Sequence, residues 1–397
     1  MSNTTFTVTH ASDGSTHSRP NIYKNPHRIN HQSQDPSHAP LSNSVSPPSN
    51  AALTLHKQLP SYSSTPLHSL PSLSAELGQH AVLLKDESSR FGQASFKILG
   101  ASHAVHRALC TTLHLPCDTT TLHDLRGPYI IRDGEARQCS ALTLVTASAG
   151  NWGRAVARTA AEMGIPCVVL VPRTTDPSTV HLIASEGDGV DVRVLDADYD
   201  SCVLEARRLG TREHWVLTMD TSWEGYETFP RWVVQGYETM LAEVDEQVGA
   251  VGAVGTVVVS VGVGSWAQAV VEHYLRSGTR VVVVEPEAAA GLLESLVNGN
   301  VVTVSTGMSI MNGMNCGTVS RIAWPYLRDG VDIAVAVGED EVHRCVEEFK
   351  QLGLDVGPCG AAPLAAVRRL RSAGLLDDDG VVVLFSTEGS RKYDVPR

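Results

Sequence analysis

The stretch Lys85-Asp-Glu-Ser-Ser-Arg-Phe-Gly-Gln-Ala-Ser-Phe-Lys97 connects an apolar run to a long helical pattern. The run 81–84 before this stretch predicts a strand, and the pattern from Phe96 to about Leu113 predicts a helix. Lys97 therefore lies at a helix start between two large apolar residues, where burial and the helix dipole favour a neutral amine. A neutral lysine is what Schiff-base chemistry requires. A solvated surface lysine fits the same letters, so the stretch alone leaves both interpretations open.

From residue 51 onward, short β-branched runs alternate with longer helical patterns. Continuous apolar strands separated by helices indicate parallel sheets that are covered on both faces. The number of predicted strands exceeds what one sheet usually contains, so we expect two three-layer α/β domains with mostly parallel sheets. Strands are predicted over 81–84, 143–146, 167–171, 192–195, 215–218, 256–260, 280–284, 332–337 and 381–385, and a second long helix is predicted over 152–163.

The domain boundaries follow from composition and rhythm. We expect residues 51–100 and 225–397 to form a large domain and residues 101–224 a small one. A surface insertion is predicted near 111–140, where Pro, Thr and Asp interrupt the pattern. Residues 1–50 are rich in Ser, Asn, Pro and His, so we expect a mostly disordered tail there, with an ordered arm over 21–28.

Charge and composition exclude several classes of protein. The 397 residues include 31 Lys+Arg against 43 Asp+Glu, a net charge of −12 without any basic run, which argues against a nucleic-acid partner. The most apolar window, 257–263, is far shorter than the roughly 20 residues of a spanning helix. No apolar signal segment begins the chain, and eight cysteines without a CxxC pair indicate reduced thiols rather than a zinc or disulfide framework. The sequence predicts a cytoplasmic protein without a metal site or a membrane contact.

Three other segments place glycines or hydroxyls after predicted strands, where open α/β sheets bind ligands. The first, Ser148-Ala-Gly-Asn-Trp-Gly153, is either an anion-binding helix start or an ordinary turn between strand and helix. The second, Ser260-Val-Gly-Val-Gly-Ser265, has the form of a phosphate cradle but matches neither G-x-G-x-x-G nor a P-loop, which disfavours a dinucleotide. The third, Leu384-Phe-Ser-Thr-Glu-Gly389, supplies hydroxyls at a strand end, as an ordinary turn would.

In their chain order these four segments resemble the fold type II pyridoxal-phosphate enzymes, the tryptophan synthase β-like family. Within that family the chain is most similar to the diaminopropionate ammonia-lyases, over roughly residues 21–388 apart from the insertion. The matching segments are Lys85-Asp-Glu-Ser-Ser-Arg-Phe-Gly, Phe96-Lys-Ile-Leu-Gly-Ala-Ser, Asp220-Thr-Ser-Trp-Glu-Gly-Tyr226, Gln235-Gly-Tyr-Glu-Thr-Met240, Met311-Asn-Gly-Met-Asn-Cys-Gly and Ser386-Thr-Glu-Gly. The resemblance implies pyridoxal 5′-phosphate in a cleft between the two α/β domains, bound by the large one, and a homodimer.

The resemblance also assigns roles to residues of this chain. Lys97 would hold the cofactor covalently, with Phe96 packed beside it and Asn151 bonded to the ring hydroxyl. The substrate carboxylate would bind at Ser148, Ala149 and Gly150. The backbone N–H groups of Gly262, Val263, Gly264 and Ser265 would bind the phosphate, and the hydroxyl of Thr387 or Ser386 would meet the pyridine nitrogen. A neutral hydroxyl partner leaves that nitrogen largely unprotonated and makes the ring a weaker electron sink.

Asp220 is the candidate base. An aspartate after a strand is more often a cap or turn residue, but the resemblance implies that Asp220 removes the Cα proton of an L-amino acid. The corresponding lyases read Thr-Asp-Gly-Asn-His-Gly in the glycine loop, where the Asp serves the D-isomer, whereas this chain has Ala149, whose methyl group cannot act as a base.

The resemblance implies α,β-elimination on a small L-amino acid, 2,3-diaminopropionate, to pyruvate and ammonia. Serine or threonine dehydration and β-replacement by an external nucleophile are alternatives on the same cofactor. A non-catalytic binding protein that kept the fold is a third.

Overall fold

The computed structural model describes residues 4–28, 50–59, 61–126, 129–132, 135–138 and 142–396. Within these ranges the strands are β1 (Thr5–Thr9), β2 (Thr16–Pro20), β3 (Ile22–Lys24), β4 (Leu67–Ser69), β5 (Ala81–Asp86), β6 (Tyr129–Arg132), β7 (Glu135–Gln138), β8 (Leu144–Ala147), β9 (Cys167–Pro172), β10 (Val190–Leu195), β11 (Val216–Leu217), β12 (Val254–Ser260), β13 (Arg280–Pro286), β14 (Ile333–Val337) and β15 (Val381–Ser386).

The α-helices in the same ranges are α1 (Ala51–His56), α2 (Pro71–Leu77), α3 (Lys97–Thr112), α4 (Asn151–Met163), α5 (Pro177–Ala184), α6 (Tyr199–Arg212), α7 (Thr228–Gly236), α8 (Glu238–Val248), α9 (Ser265–Tyr274), α10 (Gly291–Asn298), α11 (Trp324–Gly330), α12 (Glu339–Gln351) and α13 (Pro358–Ser372). Short 3₁₀ helices occur at Arg90–Gly92, Gly249–Val251, Glu287–Ala289 and Asn312–Met314.

The chain divides into two compact units. Unit 1 comprises residues 1–49, 64–90 and 240–397, and unit 2 comprises residues 50–63 and 91–239. The expected boundaries at 100/101 and 224/225 are therefore displaced, because α3 and α7 pack against each other inside unit 2. Two glycines allow this contact. A Cβ at Gly236 would lie 2.4 Å from the carbonyl oxygen of Leu99, and a Cβ at Gly100 would lie 2.7 Å from the Tyr237 ring.

Unit 1 is built on a seven-stranded sheet with the order β3-β14-β13-β12-β15-β5-β4. Its five inner strands are parallel, and β3 and β4 pair antiparallel at the two edges. The inner strands are continuous apolar runs because helices cover both faces of a parallel sheet. Residues Val82, Val258, Val282, Val335 and Val382 of the five inner strands lie in one buried cluster that also contains residues of α12 and α13.

Unit 2 contains an all-parallel four-stranded sheet with the order β10-β9-β8-β11. Its core includes Val145 and Ala147 of β8 together with Val168 and Leu170 of β9, packed against residues of α6. The prediction of two mostly parallel α/β sheets is confirmed. Each strand predicted from an apolar run forms, with ends that differ by at most two residues.

The N-terminal residues correct one expectation. The prediction of a disordered tail before the arm is wrong for residues 5–20, which form an antiparallel β1–β2 hairpin with Thr5 opposite Pro20. Composition failed here because Phe6 and Val8 alternate with polar residues and are both buried, which suffices to bind a short hairpin to unit 1. Within the expected arm, Ile22–Lys24 pairs antiparallel with β14. Residues 29–49 of the predicted tail lie outside the described residues.

The segment near 111–140 also differs from the expectation. It is predicted as a surface insertion, and β6 and β7 do form a separate two-stranded antiparallel sheet. The residues before that sheet are not superficial, however, because Leu115, Leu122 and Leu125 are buried. Apolar side chains spaced among Pro, Thr and Asp anchor the segment to unit 2.

Among the described residues, no helix is long and apolar enough to cross a membrane. None of the seven described cysteines is in a disulfide, and five of them are buried: Cys110, Cys167, Cys202, Cys345 and Cys359.

Candidate active site

Lys97 and Asp220 are brought together within unit 2. Lys97 is the first residue of α3, and its Nζ lies 2.6 Å from Oδ2 of Asp220, 123 residues further along the chain. Asp220 is buried, and the Lys97 amine lies 5.3 Å from the centre of the Phe96 ring. A lysine amine paired with a buried carboxylate can exchange a proton with it over this distance. Two residues that were predicted from separate segments thus form one chemical unit.

The glycine loop of unit 2 lies between β8 and α4. Gly150 is the N-cap of α4, its N–H donates to Oγ of Ser148 at 3.3 Å, and Asn151 is the first helical residue. A Cβ at Gly153 would lie 2.6 Å from the Ser148 carbonyl oxygen, so glycine lets the helix start lie close to the strand end. The N-cap residue provides no side-chain acceptor. The helix start is therefore suited to a carboxylate.

Trp152 has a supporting position in the same loop. Its indole Nε1 donates to the carbonyl oxygen of Thr218 at 3.1 Å and to Oγ1 of Thr146 at 3.2 Å, and the side chain is buried. Trp152 therefore links the end of β8 to the backbone of Thr218, two residues before Asp220. Ala149, beside it, presents only a methyl group.

The glycine loop of unit 1 joins β12 to α9. A Cβ at Gly262 would lie 2.8 Å from the Gly313 carbonyl oxygen, and Gly264 has φ +93° with too little space for a side chain. The carbonyl of Val263 accepts a hydrogen bond from Ser320 N–H at 2.8 Å, which fixes the loop. Helix α9 begins at the buried Ser265 with no side-chain cap. Backbone N–H groups at such a helix start suit a phosphate dianion.

Ser386 is the last residue of the inner strand β15 in unit 1 and Thr387 follows it, and both are buried. The Ser386 hydroxyl donates to the carbonyl oxygen of Glu388 at 3.3 Å. Glu388 in turn accepts a hydrogen bond from the N–H of Cys359 at 3.1 Å. Because the Ser386 hydroxyl is engaged within its own loop, Thr387 is the better of the two candidates for a ring nitrogen.

Sequence reasoning missed a buried charge cluster at the end of β5. Lys85 Nζ donates to Oε2 of Glu243 at 2.7 Å, and Arg90 donates to Glu243 at 2.8 and 2.7 Å and to Glu87 at 2.7 Å through both Nε and Nη2. Burial lowers the pKa of Lys85, against the opposing effect of Glu87 and Glu243. Lys85 also donates to the Thr65 carbonyl at 2.7 Å, so it has a structural role and is not a nucleophile. The charged residues Lys85, Glu87 and Arg90 directly after the apolar run 81–84 could have indicated a buried charge cluster. Nothing in the sequence around Glu243 indicates that it belongs to this cluster.

The predicted residues fit pyridoxal phosphate. Unit 2 carries the lysine amine, the aspartate and the carboxylate-binding helix start: Phe96, Lys97, Ser148, Ala149, Gly150, Asn151 and Asp220. Unit 1 carries the glycine-restricted anion cradle and the strand-end hydroxyls: Gly262, Val263, Gly264, Ser265, Ser386 and Thr387. An amine, an anion cradle and a hydroxyl are the partners that the aldehyde, phosphate and ring nitrogen of this cofactor require.

Comparison with known proteins agrees with this chemistry. The chain is 35% identical over 367 residues to the diaminopropionate ammonia-lyase of Salmonella typhimurium, which covers 86% of this chain and 89% of that protein. Among solved structures, holo diaminopropionate ammonia-lyase from Escherichia coli has a TM-score of 0.78 at 28% identity and covers 93% of both chains. The complex of the Escherichia coli enzyme with D-serine has the same TM-score, 0.78, at 27% identity, and covers 97% of this chain and 95% of that one. Residues 59–388 match the family model described as pyridoxal-phosphate dependent enzyme, and the chain belongs to that family.

Proposed function

We propose that this protein catalyses α,β-elimination on a small L-amino acid and that the substrate is 2,3-diaminopropionate, which yields pyruvate and two molecules of ammonia. The observation that carries the proposal is the 2.6 Å contact between Lys97 Nζ and Asp220 Oδ2. The 35% identity to a diaminopropionate ammonia-lyase supports the choice of substrate. When bound, pyridoxal phosphate supplies an electron sink that acidifies the Cα proton of the amino acid attached to it.

Asp220 is the proton acceptor in this proposal. Its carboxylate accepts a hydrogen bond from the Lys97 amine. With a substrate bound beside Lys97, Oδ2 of Asp220 would accept the Cα proton of the L-isomer. The amine of Lys97, 2.6 Å from Oδ2 of Asp220, would be a second group that can take up or return a proton. A positioned base of this kind contributes about 10²–10⁴-fold to a rate.

Binding is assigned to the other predicted residues. Ser148, Ala149 and Gly150 hold the substrate carboxylate at the start of α4, and Asn151 bonds the ring hydroxyl of the cofactor. The loop from Gly262 to Ser265 holds the phosphate on backbone N–H groups, and Thr387 meets the ring nitrogen. The glycine-restricted geometry of both loops supports these assignments.

Product analysis of the purified holoprotein tests the proposal. L-2,3-diaminopropionate, L-serine and L-threonine are supplied separately, each with and without an external thiol, and the oxoacid and ammonia are quantified. Two ammonia per pyruvate from diaminopropionate are expected. One ammonia per oxoacid from serine or threonine alone would indicate a dehydratase, and a new amino acid would indicate β-replacement. A protein that develops no visible absorbance band with the cofactor would be a binding protein that kept the fold. Lys97→Ala is the matched inactive control.

We also propose that the protein is a homodimer, as the family resemblance implies. Sedimentation velocity at micromolar concentration should give twice the 42.5 kDa chain mass. A species at the chain mass alone would contradict this proposal without affecting the catalytic one.

A further inference from the structure

Strand β11 leaves backbone groups facing an open sheet edge just before Asp220. It is an edge strand of only two residues and pairs with β8 on one side. On that side, Val216 N–H donates to Thr143 at 2.8 Å and Thr218 N–H donates to Val145 at 2.9 Å. Because successive residues of a strand direct their backbone groups to opposite sides, the carbonyl of Leu217 and the N–H of Met219 face away from β8.

The hydroxyl of Tyr226 bonds to both of these groups. It donates to the Leu217 carbonyl oxygen at 2.8 Å and accepts a hydrogen bond from Met219 N–H at 3.0 Å. A single side chain thus takes the place of a neighbouring strand. Burial raises the pKa of Tyr226, so the hydroxyl stays protonated and remains able to donate.

The intervening residues direct the Tyr226 ring to this edge. A turn over 223–226 is closed by a hydrogen bond from Tyr226 N–H to the Trp223 carbonyl at 3.0 Å, and Gly225 has φ +82° at its third position. This conformation favours glycine. The Trp223 ring stacks on the Tyr226 ring with centroids 4.5 Å apart, and the Arg207 guanidinium lies 4.6 Å from the Trp223 centroid.

The backbone before Asp220 is fixed on its other side as well. Thr218, between the two residues that Tyr226 bonds, has its carbonyl bonded by Thr146 Oγ1 at 2.6 Å and by Trp152 Nε1 at 3.1 Å. The polypeptide that delivers Asp220 to Lys97 is therefore held from both sides, and on the open edge Tyr226 holds it.

We propose that Tyr226 is a positioning residue for Asp220, acting through the backbone of Leu217 and Met219 without contacting the reacting atoms. This inference rests on the proposed function, in which Asp220 is the base. The carboxylate of Asp220 and the hydroxyl that aligns it lie six residues apart in one short segment of the chain. Misplacement of a catalytic group by about 1 Å costs roughly 10²-fold in rate.

Tyr226→Phe tests the inference because it removes only the hydroxyl. We expect kcat to fall by about tenfold to a hundredfold while KM changes by less than about threefold, since Asp220 acts on the chemical step and not on binding. The double variant Tyr226→Phe/Asp220→Asn should turn over at the rate of Asp220→Asn alone, because Tyr226 acts through Asp220. Two independent losses that multiply would overturn the inference, as would a rise in KM with kcat unchanged.

A readout that needs no turnover separates this inference from the proposed function. Hydrogen–deuterium exchange of the Met219 amide, in the protein without substrate, should accelerate at least about tenfold in Tyr226→Phe. Tyr393→Phe, which removes a hydroxyl bonded to His343 at 2.9 Å in unit 1, is the matched control and should leave Met219 unchanged. Unaltered exchange in Tyr226→Phe would refute the positioning contact. Gly225→Ala, which strains the same turn, gives a second test should Tyr226→Phe fold poorly, and there too unaltered exchange at Met219 would count against the inference. Absence of turnover in the wild type would refute the proposed function alone.

Discussion

Arg90 and Glu243 lie 153 residues apart in the sequence and form a bidentate pair inside unit 1. Nη1 and Nη2 of Arg90 donate to Oε1 and Oε2 of Glu243 at 2.8 and 2.7 Å, and the two residues are 1% and 2% exposed. Lys85 donates to the same carboxylate. The pair thereby links the end of β5 to α8 by buried charge.

Glu243→Gln should destabilise the protein strongly. The substitution keeps the size of the side chain but leaves the buried cations Arg90 and Lys85 with Glu87 as the remaining carboxylate of the cluster. Breaking one partner of a buried pair costs about 3–5 kcal/mol. Urea denaturation followed by fluorescence should show a lower midpoint. Glu205→Gln breaks an exposed pair with Arg208 and should leave the midpoint nearly unchanged; equal effects of the two substitutions would show that the buried cluster contributes little.

The same carboxylate should make stability depend on acid pH. Although burial opposes ionisation, hydrogen bonds from Arg90 and Lys85 lower the pKa of Glu243 from 4.5 to about 2. A lowered pKa contributes stability above the unfolded value and loses it as the pH falls through the folded value. The wild type should therefore lose stability between about pH 4.5 and 2, and its advantage over Glu243→Gln should narrow over that range. Urea midpoints from pH 7 down to 3 measure this difference. A difference in urea midpoint between the two proteins that stays constant with pH would show that ionisation of Glu243 does not account for the acid dependence of stability.

Lys97→Ala should abolish turnover and leave the fold intact. Borohydride reduction of the wild-type holoprotein should fix the cofactor on Lys97, and peptide mass spectrometry should find the label there. Lys85 should remain unlabelled because its amine is bonded to Thr65, Glu243 and Gln247 at 2.7, 2.7 and 2.8 Å. A label on Lys85 would overturn the site assignment.

Gly262→Ala should weaken cofactor binding by orders of magnitude. Its Cβ would meet the Gly313 carbonyl oxygen at 2.8 Å, so the loop must move and its N–H groups lose their alignment. Gly255→Ala, in the strand before the loop, brings a Cβ no closer than 3.5 Å to the Val381 carbonyl oxygen and is the matched control. Absorbance titration of the apoprotein with cofactor compares the two. Equal affinities would show that the phosphate binds elsewhere.

The strands and the two glycine loops could be predicted from local sequence for physical reasons. A strand buried on both faces must be a continuous apolar run, so β12, β13 and β15 are evident in the sequence. Gly262 and Gly264 mark a backbone that approaches its neighbours too closely for a side chain. The place of Lys97 at a helix start could also be predicted locally, but its chemical role was implied only by the family resemblance.

Long-range pairs had no such local signal. Composition places Arg19 in a disordered tail, yet its guanidinium donates hydrogen bonds of 2.6 and 2.7 Å to the fully buried Glu294, 275 residues away. The unit boundaries depend on the contact of Gly100 and Gly236 with a neighbouring helix, which composition does not reveal. Tyr226 was predicted only as part of a family segment, because its function depends on which backbone groups β11 leaves open.

The relative turnover of L- and D-2,3-diaminopropionate tests whether Asp220 is the base and whether Ala149 leaves the other face without one. Each base must lie on the face from which its proton departs, within hydrogen-bond reach of it. Asp220 supplies a carboxylate on the side of Lys97, whereas the glycine loop offers the methyl group of Ala149. Without a positioned base, D-2,3-diaminopropionate should react at least about 10²-fold more slowly than the L-isomer.

Two substitutions should change the turnover of the two isomers in opposite directions, lowering that of the L-isomer and raising that of the D-isomer. Asp220→Asn should depress turnover of the L-isomer, because the amide cannot take the proton. Ala149→Asp should raise turnover of the D-isomer, while Ala149→Asn, of equal size and no charge, should not. Steady-state rates on both isomers for the wild type and the three variants measure this. Comparable turnover of the two isomers by the wild type would contradict the prediction, since one carboxylate cannot serve both faces; the amine of Lys97 or another group would then remove the proton.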